Sequence, residues 1–166
     1  MIVFDASTLI LLAKAELLDR FLAASGVEAV MPREVARETC EAKPSFDALL
    51  IRRLIDEKKI KVETLRDRTL FEKLRRDLRL GAGEAEAIAL AVARKAWIVA
   101  TDDRCAIGAC KLARMPFTTA LSLLVRMCEK RVVDKAEALL KLTILERAGR
   151  YKKSMIAEAR SRLEVA

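Results

Sequence analysis

Acidic residues recur at four separated places in this chain. They are Asp5 in "MIVFDAST", Glu38 in "PREVARE", Glu84 in "LGAGEAEAIALA", and the pair Asp102 and Asp103 in "WIVATDDRCA". Each stands where an apolar, strand-like run meets a helix, or on a helix beside such a junction. Carboxylates gathered in one place repel one another, and only protons or a cation relieve that repulsion. The chain contains no histidine, so an all-oxygen cluster would suit a hard divalent ion such as Mg²⁺ or Mn²⁺. The chemistry such a site points to is metal-assisted cleavage of a phosphodiester.

A structural role competes at every one of these positions. Asp5 precedes a helical run and could cap it. Glu34, Glu38 and Glu41 share faces of one helix at i, i+4 and i, i+3 spacing, where they could be a solvated surface or pair with Arg37 or Lys43. Glu84 and Glu86 follow Gly81 and Gly83 in a first helical turn, where acids suit the helix dipole. Asp102 and Asp103 could form a turn or cap the next helix, with Arg104 offsetting one charge. Spacing alone does not choose among these roles. A P-loop is excluded, because no G-x-x-x-x-G-K-[ST] occurs, and "GAGEAE" lacks the third glycine of a dinucleotide fingerprint.

The elements that must position these acids follow from periodicity. Strands are predicted over residues 2–4, 27–31, 60–64 and 96–101, the last fully buried, with a short strand or turn at 115–119. Helices are predicted over 7–15, 16–24, 32–42, 46–59, 67–80, 83–95 and 105–113, then over 120–131, 134–149 and 151–165. Ser7 or Thr8 is expected to cap the first helix. Pro32 fits the first turn of the third, Pro44 and Ser45 punctuate before residue 46, and Gly81 stops the run ending at Leu80. Strands alternating with helices imply a parallel sheet covered on both faces. Ligands of such sheets bind beyond the carboxyl ends of the strands, which is where Asp5 and Asp102 should both project. The chain is expected to form one domain over residues 1–166, helical from about residue 120.

Of 166 residues, 53% are hydrophobic and 34% charged, with a net charge of +8. A basic surface around an acidic site would hold a polyanion. Aromatics make up only 4%, which leaves few stacking platforms for bases. No apolar run reaches the length of a membrane span, and "MIVFD" begins as a strand rather than as a secretory signal. No membrane association and a cytoplasmic location are therefore the default expectations. The four cysteines, Cys40, Cys105, Cys110 and Cys128, form no C-x-x-C pair, so no zinc site is suggested. Cys128 is expected in the core and Cys105 partly exposed.

Taken together, "IVFDASTLILLAK", "MPREVARE", "LGAGEAEAIALA" and "IVATDDRCA" resemble a PIN-domain nuclease, over nearly the whole chain and in the family's order. The resemblance implies a three-layer α/β/α fold with a central parallel sheet of four to five strands and a helical C-terminus. It implies a Mg²⁺- or Mn²⁺-dependent endoribonuclease. Many small members are VapC-type toxins of toxin–antitoxin pairs and are dimeric, so RNA, an antitoxin protein and a homodimer are the implied partners. Carried over, the family's acids fall on Asp5, Glu38, Glu84 (where many members have Asp) and either Asp102 or Asp103, holding one or two ions. Ser7 and Thr101 fall on the hydroxyl positions that orient the carboxylates. Arg104, Arg33 and Arg37 are candidates for the RNA backbone. The chain has "TTA" where the subgroup often has a Gly-Thr step. Asp5→Asn is expected to abolish cleavage and leave the fold intact or slightly more stable.

Two other functions compete. A non-catalytic RNA-binding scaffold would keep the fold without turnover. A phosphatase with an aspartyl nucleophile would use Asp5, although Ser7 occupies the second Asp position of its D-x-D pattern.

Overall fold

A computed structural model describes residues 1–41 and 45–166. The predicted break at Pro44, the helix end at Ala42 and the pairing role of Lys43 lie outside the described residues. Five strands, β1 (Ile2–Phe4), β2 (Ala29–Pro32), β3 (Ile60–Glu63), β4 (Ile98–Ala100) and β5 (Phe117–Thr118), form one parallel sheet in the order β3-β2-β1-β4-β5. The register pairs Ile2, Val3 and Phe4 of β1 with Ile98, Val99 and Ala100 of β4, and Ile2 and Val3 with Ala29 and Val30 of β2. Ten helices are present among the described residues. They are α1 (Ala6–Lys14), α2 (Leu18–Ser25), α3 (Arg33–Cys40), α4 (Phe46–Asp56), α5 (Thr69–Leu78), α6 (Ala82–Ala93), α7 (Arg104–Leu112), α8 (Ala120–Glu129), α9 (Lys135–Ala148) and α10 (Lys153–Val165).

Alternation along the short strands divides the core between the two faces of the sheet. Ile2, Phe4, Ala29, Met31 and Ile60 pack with Leu9 and Leu12 of α1, Ile51 and Leu54 of α4, and Leu124, Leu142 and Leu163 of the C-terminal helices. Val3, Val30 and Val99 pack on the other face with Phe71 of α5, the small residues of α6, and Ala106 and Ala109 of α7. The arrangement is three layers, α/β/α. The "AGEAEAIALAVA" sequence of α6 explains its place: side chains no larger than leucine let the helix lie close against β1 and β2.

Chain order makes β1 the pivot. The first crossover leads from β1 to β2 on one side, and the chain later returns to place β4 on the other side. The connections leaving the carboxyl ends of β1 and β4 therefore diverge, which opens a crevice at their C-terminal edge. Asp5 and Thr101–Asp103 are the first residues past those two strand ends.

Several local expectations are corrected. Asp5 rather than Ser7 or Thr8 caps α1, its carboxylate accepting from the Ala6 N–H. Pro32 ends β2 and occupies the N-cap of α3 instead of its first turn. Pro32 has no side-chain acceptor to offer, so Glu86 of α6 takes over, accepting from the Glu34 N–H at 2.8 Å. Helix α5 ends two residues before Leu80, on Arg79 in the left-handed region (φ 53°), and Gly81 opens α6 instead of stopping α5. The run 96–101 is not wholly interior: Trp97 precedes β4 and is 73% exposed. Ser45 caps α4 as expected, accepting from the Ala48 N–H.

Phe4 is fully buried and meets Phe21 edge-on at 6.2 Å. Phe4→Ala should lower unfolding free energy by about 3–5 kcal/mol, read as a reduced midpoint in urea unfolding.

Candidate active site

Asp5 is the innermost acid, 2% exposed. Its Oδ1 accepts from the Ala6 N–H at 2.7 Å. Its Oδ2 accepts from two hydroxyls, Ser7 Oγ at 2.7 Å and Thr101 Oγ1 at 2.8 Å. Both hydroxyls also receive a hydrogen bond. Ser7 Oγ accepts from the Asp102 N–H at 2.9 Å, and Thr101 Oγ1 accepts from the Asp103 N–H at 3.2 Å. The turn after β1 and the turn after β4 are thereby stitched together around one carboxylate oxygen.

Three further acids face the same crevice, each fixed by a helix N-terminus. Asp103 caps α7, with its Oδ1 accepting from the Cys105 and Ala106 amides at 2.7 and 2.9 Å. Glu84 folds back on the start of its own helix, accepting from the Gly81 N–H at 2.8 Å. Glu38, on α3, accepts from the Gly83 N–H at 3.2 Å. A Cβ added to Gly83 would lie 2.6 Å from Glu38 Oε2, so only glycine admits Glu38 in this position.

Their electrostatics register the grouping. Asp5 is raised above the ordinary aspartate value, first by burial and also by the Asp103 charge, against the opposing hydrogen bonds. Glu84 is raised by burial and by Asp103, Asp5 and Glu38. Glu38 is raised by burial, then by Asp5 and Glu34. Among the described residues, the ion pairs lie elsewhere and bring no lysine or arginine within 4.0 Å of these four carboxylates.

Asp102 stands apart from this group. Its Oδ2 accepts from Thr8 Oγ1 at 2.7 Å and from the Ala120 N–H at 2.9 Å, and its Oδ1 accepts from the Tyr151 hydroxyl at 2.5 Å. Burial raises its pKa, and the neighbours that oppose the rise are these donors. Tyr151 is itself pushed far up by burial and by the Asp102 charge, so its hydroxyl keeps its proton. Nothing in the sequence flagged Tyr151, which lies 49 residues from Asp102.

The expected RNA contacts separate as well. Arg104 is exposed on the first turn of α7. Arg33 and Arg37 line a groove of about 620 Å³ beside α3, together with Arg52, Arg68 and Glu86. Arg37 is already paired with Glu34. Cys105 is exposed and Cys128 buried, as expected. Burial and the Asp5 charge push the Cys110 thiol up to about 11, far from a thiolate nucleophile at neutral pH.

Four carboxylates without a basic partner form an oxygen-only donor set, and that chemistry fits a hard divalent cation. As placed, no three acidic or thiol side chains among the described residues close on a single point. The Gly81 and Gly83 amides hold Glu84 and Glu38 back.

The fold and this crevice define a three-layer α/β/α protein with a carboxylate site at its switch point. The chain belongs to the PIN-domain family, whose sequence model matches residues 1–164. PIN domains are generally nucleases and typically use divalent metals. No curated protein and no solved structure matches the chain. No helix among the described residues is long and apolar enough to cross a membrane.

The raised Glu84 has a stability consequence. A carboxyl with a raised folded-state pKa contributes its full stability below its unfolded value and loses it as pH rises through the folded value. Glu84→Gln keeps an acceptor for the Gly81 N–H and removes the charge. In EDTA at pH 7–8 it should melt above the parent, by about 2–4 °C per 1 kcal/mol of repulsion relieved. The difference should vanish as pH falls below the ordinary glutamate value of 4.5. Thermal melts across that range check it.

Proposed function

We propose that this protein is a divalent-metal-dependent endoribonuclease whose ion is held by Asp5, Glu38, Glu84 and Asp103. One observation carries the reading: Asp5, Glu38, Glu84 and Asp103 border one crevice at the C-terminal edge of β1 and β4, the first three with raised pKa values, and have no basic partner among the described residues. Asp103 is preferred to Asp102 because both Asp102 oxygens are taken by Thr8, Ala120 and Tyr151. Bound there, Mg²⁺ or Mn²⁺ would activate a water and neutralise charge building on the scissile phosphate.

The chain's own residues do the positioning. Ser7 and Thr101 hold Asp5 Oδ2, which leaves Oδ1 with a single donor. Arg104 and Arg33 lie exposed on the helices that carry Asp103 and Glu38 and would draw phosphates towards the site, with net charge +8 adding long-range attraction. A phosphatase with Asp5 as nucleophile is disfavoured, because a carboxylate 2% exposed and held by three donors cannot reach a phosphorus in line. The scaffold reading draws on the Glu38 and Glu84 side chains being turned onto amides. Mn²⁺ separates the two: an ion that binds the native state raises the melting temperature by mass action.

Asp103→Asn is the cleanest test. Its amide oxygen can still accept from Cys105 and Ala106, so the cap on α7 survives while the charge is lost. Asp5→Asn is less innocent than the sequence implied. All three groups around Asp5 donate, so an amide NH₂ there opposes one of them, which offsets the relief of removing a charge that burial disfavours. Cleavage of structured RNA in Mn²⁺ should fall by about 100-fold or more in Asp103→Asn, the scale of losing a principal charge-stabilising group. A same-sequence DNA serves as the control for RNA preference. Full activity of the parent in excess EDTA, or of Asp103→Asn in Mn²⁺, would sink the proposal.

Gly83→Ala provides an independent check. The added Cβ displaces the Glu38 carboxylate without removing any acid, and alanine suits a helix better than glycine. It should keep the parent's melting temperature in EDTA within a few degrees, on the scale of 2–4 °C per 1 kcal/mol, and lose most cleavage.

A further inference from the structure

We infer that Tyr151 is a positioning residue for the carboxylate site: through Asp102 it makes the C-terminal helical hairpin a working part of that site. The inference rests on the nuclease reading for its functional half and on the hydrogen-bond geometry for the rest.

Tyr151, the only tyrosine in the chain, sits in the turn between α9 and α10. Its ring lies against Gly149, where an added Cβ would come within 2.3 Å of Cε2. Its hydroxyl donates to Asp102 Oδ1 at 2.5 Å. Thr8 of α1 and the Ala120 amide at the start of α8 hold the other oxygen. One half-buried carboxylate therefore joins the first helix, the turn after β4, the N-terminus of α8 and the α9–α10 turn.

The backbone of the same residue carries the effect inward. The Asp102 N–H donates to Ser7 Oγ, which donates to Asp5 Oδ2. The next amide, that of Asp103, donates to Thr101 Oγ1, which donates to the same oxygen. The backbone of the turn cannot shift at Asp102 without moving both amides that support the hydroxyls around Asp5. Tyr151 thus fixes Asp5 and Asp103 without touching either.

Tyr151→Phe keeps the ring and deletes only the hydroxyl. Arg162→Ala, which breaks the Arg162–Glu129 pair on the same C-terminal helices, controls for general loosening. Amide hydrogen exchange without added metal should quicken by about tenfold at Asp102, Asp103 and Ala120 in Tyr151→Phe, and not in Arg162→Ala. The Mn²⁺ dissociation constant, measured by calorimetry, should rise by about tenfold, the usual scale for a group supporting a metal ligand. In RNA cleavage, kcat should fall while KM for RNA stays near the parent value. Gly149→Ala, which drives the ring off its seat, should reproduce the exchange pattern.

Unchanged exchange at Asp102 and Asp103 in Tyr151→Phe overturns the inference. So does faster exchange with an unaltered Mn²⁺ affinity, because the contact is then a brace and nothing more. If the parent binds no Mn²⁺ at all, the nuclease reading fails, and exchange alone decides whether Tyr151 orders the two turns.

Discussion

Two hydroxyls donating to one oxygen of Asp5 hold the turns at the C-terminal edge of the sheet together. Asp5 is cut off from water, which disfavours its charge, and Ser7 and Thr101 return part of the lost hydration. A buried carboxylate needs such donors, and here they come from the turns after β1 and β4. The sheet gains a lateral tie beyond its last ladder bond, Asp5 N–H to Ala100 O at 2.9 Å. The acid cluster, the start of α7 and the anchoring of the C-terminal helices all build outward from that tie.

Capping and facing a shared crevice, which look like rival roles in the sequence, coincide here. Asp5, Asp103 and Glu84 each engage amides at a helix N-terminus, and the same engagement aims them into one crevice. Helix N-termini at the C-terminal edge of a parallel sheet point inward, so an acid that caps one is carried to the switch point by the fold. On the proposed reading, a capping residue and a cation-holding residue are one residue.

Most of the architecture was legible because strong periodicity marks it. The buried triplet Ile2–Phe4, the small-residue helix α6 and the amphipathic α4 each announce their element, and their alternation dictates a parallel sheet. Boundaries failed where a backbone device replaced the expected residue: Arg79 took the left-handed position that Gly81 seemed to hold. For the candidate site, sequence order pointed to the acids that border the crevice but could not separate Asp102 from Asp103. That distinction depends on Thr8, Ala120 and Tyr151, which are remote in the chain and have no helical or strand periodicity relative to Asp102. Glu86 was hidden for a similar reason, since its partner is a main-chain amide 52 residues away.

Strand order has a temporal side. β1 is made first, yet one of its two neighbours is β4, and the Thr101 hydroxyl that Asp5 needs arrives 96 residues later. A growing chain still attached to the ribosome carries Asp5 and Glu38 long before the crevice exists around them. No truncated product that ends short of β4 contains the assembled cluster, so the crevice cannot form until β4 has been made.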